Sequence, residues 1–299
     1  MPSASLSRPL SGGLLACAGW VAFSLQDALV KTMVVDLPVP EVLFGRSIVI
    51  VAVSLFIVTP TDWRAMSDRA NLMAIATRAT LILIAWLAYY RASRSLQLAD
   101  LVTYYFVAPL FVVGLSAPLL KEHVGPGRWL AVLIGFAGVL LAAAPSSGAP
   151  LEPIALALIA ALCWAFTTLL ARNLSRGVST AAMMFGGAVG FVIACGAALP
   201  WYGVAPSGKQ VALMAATGLV GALGQYLWFE GVRRAPASLL APLEYSLLAY
   251  AIFWGYMFFG DLPTLRTLAG SGVILLSGLA VMALEIRRAR IATSVRPSP

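Results

Sequence analysis

The sequence predicts an all-α membrane protein of ten transmembrane helices, built as two inverted five-helix repeats around a central cavity. Three observations carry this. The composition suits a chain whose solvent is lipid. Ten apolar stretches of spanning length recur between short polar turns. The second half of the chain repeats the pattern of the first.

Of the 299 residues, 61% are hydrophobic and 11% charged, with a mean hydropathy of +0.91. A soluble domain carries roughly 25% charged residues, and more than half of its surface must still face water. So apolar a chain has no way to hide itself in water. The net charge of +8 does not indicate nucleic-acid binding, because the charges are sparse and lie between apolar runs. Cys17, Cys163 and Cys195 each sit inside an apolar segment and form no CxxC pair, so neither a disulfide framework nor a zinc site is expected. The one histidine, His123, lies beside Lys121 and Glu122 in a polar turn. The first apolar run is read as a retained helix, since no small-x-small cleavage site leads into a polar start.

A bilayer core about 30 Å thick needs about 20 apolar residues per helix. The ten spans centre near Phe23, Val51, Ile82, Phe111, Phe136, Leu162, Val189, Val220, Ala251 and Leu276. They leave room only for short turns and no soluble domain. Turn residues punctuate them: Asp36 to Pro40, the VTPTD stretch ending at Asp62, Gly125-Pro126-Gly127, Pro145 to Gly148, Ala205 to Gly208, and Asp261 to Pro263.

Orientation follows from Lys and Arg in the turns. With the N-terminus cytoplasmic, the inner segments hold Arg8, Arg64, Arg69, Lys121, Arg128, Arg172, Arg176, Arg233, Arg234, Arg287, Arg288, Arg290 and Arg296. The outer ones hold Lys31, Arg91, Arg94, Lys209 and Arg266. Thirteen against five favours both termini on the cytoplasmic side, with an even number of spans, and the membrane expected is the cell (inner) membrane.

The repeat shows in two long stretches. Tyr90 to Leu141 and Phe229 to Ala283 each run from a polar Arg-containing turn into an apolar span. Each span ends in an acid (Glu122 or Asp261), followed by a Pro-containing turn and a Gly-rich last helix. The first helices of the halves match more loosely, as GWVAFS at Gly19–Ser24 and CWAFTT at Cys163–Thr168. The halves are placed at 1–146 and 147–299, the second ending in a short basic tail. Five helices is an odd number, so the second half enters from the opposite side. Inverted repeats suit alternating access around a site near the midplane.

On these stretches the chain resembles the drug/metabolite transporter superfamily, in its ten-helix EamA-domain branch. The resemblance implies a central cavity and export or exchange of amino acids or other small metabolites. It departs from the commoner pattern in the second half, where Pro242-Leu-Glu244-Tyr245 stands in place of a deeper proline such as Pro109. That weakens transfer of any particular substrate.

Ionisable groups in a membrane are costly and mark candidate sites. Trp20, Ser24, Asp27 and Lys31 are spaced 4, 3 and 4 apart and share one helical face. Asp27 and Lys31 pair at i,i+4 on this reading, or contact a zwitterionic substrate. Arg46 and Arg78 are read either as snorkelling to an interface or, for Arg78, as holding a substrate carboxylate. Glu244, beside the break at Pro242, is with Asp27 a candidate for coupling to a proton or other cation. Its alternative is a buried acid bonded between helices. Glu230 is read as a solvated loop charge. Most of the Trp and Tyr residues suit membrane interfaces, whereas Tyr104, Trp164 and Tyr245 fall in helices that the resemblance assigns to the cavity. Gln225 is either a substrate contact or a helix–helix hydrogen bond. The runs Gly135–Gly138 and Gly270–Gly278 let helices approach closely.

The expected function is a secondary transporter working by alternating access, exporting or exchanging amino acids, aromatic or large hydrophobic ones among them. Another metabolite, a vitamin or a lipophilic cationic drug stays open as substrate, and a channel or membrane scaffold as class. No His cluster, metal-ligand spacing or paired carboxylates suggest an enzyme. No Walker motif suggests ATP use, and no cofactor is expected. The partners expected are a small-molecule substrate and the lipid bilayer, with a proton as candidate coupling ion. The chain acts as a monomer or dimer.

Overall fold

The computed structural model describes residues 3–108, 110, 111, 115, 126–143, 151–175, 177–234, 244 and 246–294. Among the described residues there are eleven helices and no strand. They are α1 (Ser3–Val34), α2 (Val39–Leu55), α3 (Pro60–Ser67), α4 (Arg69–Ala92), α5 (Leu98–Tyr105), α6 (Pro126–Ala143), α7 (Leu151–Leu174), α8 (Thr180–Tyr202), α9 (Gly208–Arg234), α10 (Ser246–Phe259) and α11 (Leu265–Ser294). Five stretches are long and apolar enough to cross a membrane by length and composition: Ser11–Val34, Arg69–Ala92, Leu151–Ala171, Thr180–Tyr202 and Gly208–Arg234. The 24 residues of α4 extend about 36 Å at 1.5 Å per residue.

Large apolar side chains such as Leu14, Leu55, Leu133, Ile193 and Leu276 lie exposed around the helices. In water so wide an apolar surface would aggregate. In lipid it is the contact face.

The short α3 was not expected, because the VTPTD stretch reads as a turn. Thr59 and Asp62 form a capping box there, with Pro60 in the first turn. The Thr59 amide donates to Asp62 Oδ2 at 2.8 Å. Reciprocal caps of this kind start a helix that apolar periodicity does not announce. Trp63 packs edge-on against Phe185 of α8, ring centres 5.0 Å apart, holding α3 flat against the bundle end. The span expected around Phe111 is also different in detail. Helix α5 stops at Tyr105, and Phe106 and Val107 form a turn.

Besides those at the bundle centre, polar groups gather at two ends. At one, Lys31 pairs with Asp261 at 3.4 Å and donates to the Leu96 carbonyl at 2.8 Å. Arg94 caps the Leu37 carbonyl, and Glu41 accepts from the Val204 amide. At the other end, Thr180 donates to Glu230, which also pairs with Arg234 at 2.8 Å. Glu230 is therefore not the free loop charge expected of it.

The helix contacts survive an exchange of halves. Helix α1 packs on α9 as α7 packs on α4; α2 meets α9 as α8 meets α4; α1 meets α10 as α7 meets α5. Helices α2 and α8, α5 and α10, and α6 and α11 each pair with their own counterpart. An inverted repeat produces this pattern. Close approach needs glycine at several crossings, of which two serve as examples. A Cβ on Gly19 would lie 3.1 Å from the Gly224 carbonyl oxygen and the Trp228 amide nitrogen, and one on Gly138 would lie 3.0 Å from the Gly270 oxygen. Neither neighbour is a side chain that can move aside. Trp20 and Trp164, equivalent in the two halves, meet at the centre with ring centres 6.2 Å apart. Counting on from that pair, Asp27 corresponds to Ala171 and Lys31 to Ser175, so these two charges are not repeated.

Candidate functional site

Two adjoining cavities occupy the bundle centre. The first is lined by Trp20, Phe23, Gln26, Asp27, Ala85, Trp86, Tyr89, Tyr90, Tyr105, Trp164 and Leu247. Its free space is about 50 Å³, enough for a few waters at roughly 10–15 Å³ each.

Asp27 of α1 supplies the carboxyl group of this cavity. Tyr90 donates to its Oδ1 at 2.9 Å, and Tyr89 to its Oδ2 at 3.2 Å. A carboxylate has about four lone-pair sites, so each oxygen can still accept from a ligand. The Tyr90 oxygen in turn accepts from Gln26 Nε2 at 3.0 Å and, at 3.5 Å, from Arg46 Nη1. The acid is thus held in place by phenols rather than neutralised by a direct ion pair. Edge-to-face aromatic contacts surround it: Tyr89 with Tyr90 at 5.4 Å, Tyr89 with Tyr105 at 5.5 Å, and Trp20 with Phe23 at 5.7 Å. A carboxylate within an aromatic wall suits a cation with a flat apolar body.

The second cavity is lined by Arg46, Ser47, Arg78, Gly187, Phe191, Gln225, Trp228 and Phe229 among others, and shares Phe23, Trp86 and Trp164 with the first. Arg46 is wholly buried, and its guanidinium carbon lies 3.6 Å from the centre of the Trp86 ring. Arg78 stacks over Phe229 at 4.9 Å. Neither Nε has a hydrogen-bond partner among the described residues. A charged side chain at the centre of a spanning helix costs about 2.5–3.5 kcal/mol on insertion scales, so two of them call for more than a packing role. Glu244 accepts from the Trp164 indole, which ties the start of the α10 region to the wall common to both cavities.

The profile of the EamA-like transporter family matches residues 10–144 and again 151–283. The chain belongs to the EamA-like transporter family. The two matched stretches are its two five-helix repeats, and with them the chain is a ten-helix membrane protein. It is similar to the "Pseudopaline exporter CntI" of Pseudomonas aeruginosa, 26% identical over 276 residues covering 91% of this chain and 95% of that one. The "Riboflavin transporter" of Rhizobium johnstonii is 26% identical over 302 residues, 95% of each chain. The "S-adenosylmethionine uptake transporter" of Rickettsia felis is 24% identical over 177 residues, 59% of this chain and 60% of that one. A solved crystal structure has the same fold, with a TM-score of 0.67 at 17% identity over 95% of this chain and 99% of that one. As a member of the EamA-like family, the protein is a multi-pass membrane transporter of small metabolites and not an enzyme.

Within this EamA-like bundle the expected residues separate. Trp20, Asp27 and Trp164 line the first cavity, and Arg78, Gln225 and again Trp164 the second. Ser24 is buried with no partner for its hydroxyl among the described residues, and it lines neither. Lys31 does not pair with Asp27. It turns to Asp261 and stacks at 4.7 Å on Phe259, because a backbone carbonyl and a carboxylate from two turns offer it more than its i−4 neighbour. Tyr104 is buried but lines neither cavity. Tyr245 and Pro242 lie outside the described residues. Arg46 and Arg78 do not snorkel: both are buried, held inward by ring stacking. Trp20, Tyr89, Tyr90, Tyr105, Trp164 and Trp228 are buried rather than interfacial, while Tyr226 and Tyr256 are exposed.

Sequence reasoning did not single out Gln26, Trp86, Tyr90 or Tyr105 as site residues. A signal existed for Gln26 in its place beside Asp27 on an apolar helix. Tyr89 and Tyr90 gave less, because adjacent residues of a helix do not share a face.

Proposed function

We propose that the protein carries amino acids, aromatic or large hydrophobic ones, by alternating access, as an exporter or exchanger. The observation that carries this reading is the pairing of Asp27 with Tyr89, Tyr90 and a wall of tryptophans in one central cavity. An α-ammonium group faces the carboxylate, and an aromatic or bulky apolar side chain faces the rings. Trp20, Asp27 and Trp164 contact the substrate directly. Asp27 and Glu244 are the candidate coupling acids. The protein sits in the cell (inner) membrane with both termini cytoplasmic, and its repeats divide near residue 146.

A second reading is supported by the same cavity together with the names of relatives: a cationic or heteroaromatic metabolite, such as a vitamin, would also fit an acid among rings.

Counterflow in proteoliposomes tests the proposal. Vesicles preloaded with unlabelled tryptophan or phenylalanine should accelerate uptake of the labelled compound, and Asp27→Asn should abolish the acceleration at normal protein abundance. Absence of exchange for every amino acid tried would remove the amino-acid reading. Dependence on a pH gradient that disappears in Glu244→Gln while exchange itself persists would identify Glu244 as the coupling acid, and dependence that survives there would leave Asp27.

A further inference from the structure

We infer that Arg46 and Arg78 form a carboxylate subsite, in which the second cavity takes the acidic end of a substrate whose cationic end faces Asp27. This rests on the carrier reading above and adds to it a residue, Arg46, and a chemical class.

The two arginines come from different helices, α2 and α4, yet line one cavity. Arg46 is 0% exposed and Arg78 9%. Ring stacking accounts for the faces of both guanidinium groups, on Trp86 and on Phe229. It does not account for their edges. The N–H donors of a guanidinium lie in its plane, and the Nε of each is buried without a partner. Arg78 makes no ion pair or hydrogen bond among the described residues, and Arg46 only the long contact with the Tyr90 hydroxyl. A fork of in-plane donors with a stacked face is the arrangement that binds a planar carboxylate. Gln225 adds a neutral polar group to the same wall. The free space is about 30 Å³.

Position supports the assignment. Phe23, Trp86 and Trp164 border both cavities, so a molecule bearing an ammonium and a carboxylate reaches Asp27 on one side of this partition and the arginines on the other. A purely structural role for the arginines would instead require partners for those edges.

The test uses full-length protein with three probes. Indole-3-acetate has the ring and the acid, tryptamine has the ring and the cation, and inorganic phosphate has only an oxyanion. Indole-3-acetate should raise the thermal midpoint of the wild type and leave Arg46→Met and Arg78→Met unmoved, while tryptamine should stabilise all three alike. Methionine keeps most of the apolar stem, and replacing a buried charge by an apolar side chain need not unfold a protein. Should a methionine variant not fold, Arg46→Lys or Arg78→Lys keeps the charge without the fork and should show the same loss in weaker form. In counterflow, Arg78→Met should reduce tryptophan exchange about ten-fold or more, the loss of one charge-assisted contact, and leave any tryptamine exchange within about two-fold. Stabilisation by indole-3-acetate that ignores both arginines, its absence in the wild type, stabilisation by phosphate alone, or equal loss for both indoles would overturn the subsite. A wild type that exchanges neither indole, yet shows arginine-dependent stabilisation by the acid, would overturn the amino-acid reading and leave the subsite standing.

Discussion

Tyr90 donates its hydroxyl hydrogen to Asp27 at 2.9 Å, and the two residues lie 63 positions apart on different helices. The same oxygen receives Gln26 and Arg46. One phenol therefore connects the acid of the first cavity to a base of the second.

Tyr90→Phe removes that junction while keeping the ring. A hydrogen bond to a charged group contributes about 1.5–3 kcal/mol, and each 1.4 kcal/mol is about ten-fold. Exchange should fall by roughly ten-fold or more, with Tyr89→Phe falling less because Tyr89 makes the single, longer bond at 3.2 Å. Initial rates of counterflow in the two variants decide the order. An equal or reversed order would mean that Tyr90 serves only as wall.

Gly19→Val tests the packing of α1 on α9. The added Cβ meets backbone atoms at 3.1 Å, so the helices must part. Overpacking of this kind costs about 1–3 kcal/mol, and the purified variant should melt several degrees lower. Gly272→Ala, with nothing within 4 Å of its added Cβ, should melt as the wild type or slightly higher.

Lys31 and Asp261 join α1 to the α10–α11 turn. Lys31→Met and Asp261→Asn should be non-additive in thermal stability, with a coupling of about 0.5–3 kcal/mol. The double variant would then be scarcely worse than either single one. Additive losses would show that each residue acts through separate neighbours, Leu96 and Phe259 for the lysine.

Asp62 supplies the pH prediction. Partial burial opposes its charge, but hydrogen bonds from Ser179 and Thr59, with Arg233 nearby, outweigh it and hold the carboxyl below its ordinary range. A carboxyl lowered in the folded state stabilises fully above its unfolded value, about 3.9. That contribution fades only as pH falls through the lower folded value. The cap on α3 should therefore be intact at neutral pH and lost in strong acid, and Asp62→Asn should remove this part of the acid sensitivity. Melting profiles between neutral and strongly acidic pH would show it. Identical acid slopes in the variant and the wild type would refute the role.

Helices were legible because lipid demands long apolar runs, and the repeat because its turns recur. The family was legible for the same reason, as Tyr90 to Leu141 and Phe229 to Ala283 carry its pattern. The site was legible only in part. Asp27 and Trp164 stood out as an acid in an apolar helix and an aromatic at a repeated position. Their partners did not. Helical spacing offers Lys31 to Asp27, but Lys31 finds Asp261, 230 positions away, and Asp27 finds two tyrosines of α4. Arg46 resembled a snorkelling residue because sequence shows a position along a helix but not which neighbours surround it. The α3 helix escaped notice because its start depends on side-chain caps and not on hydropathy.

Trp20 and Trp164 stand at equivalent positions of the two halves, but seven residues on, one half has Asp27 and the other Ala171. The scaffold can be turned over onto itself; its charges cannot. On the carrier reading proposed above, a substrate held at Asp27 has one heading in the bundle and keeps it as the halves exchange roles. On that reading the compound enters and leaves with the same end leading, and an inhibitor that mimics it should fit from one side of the membrane better than from the other.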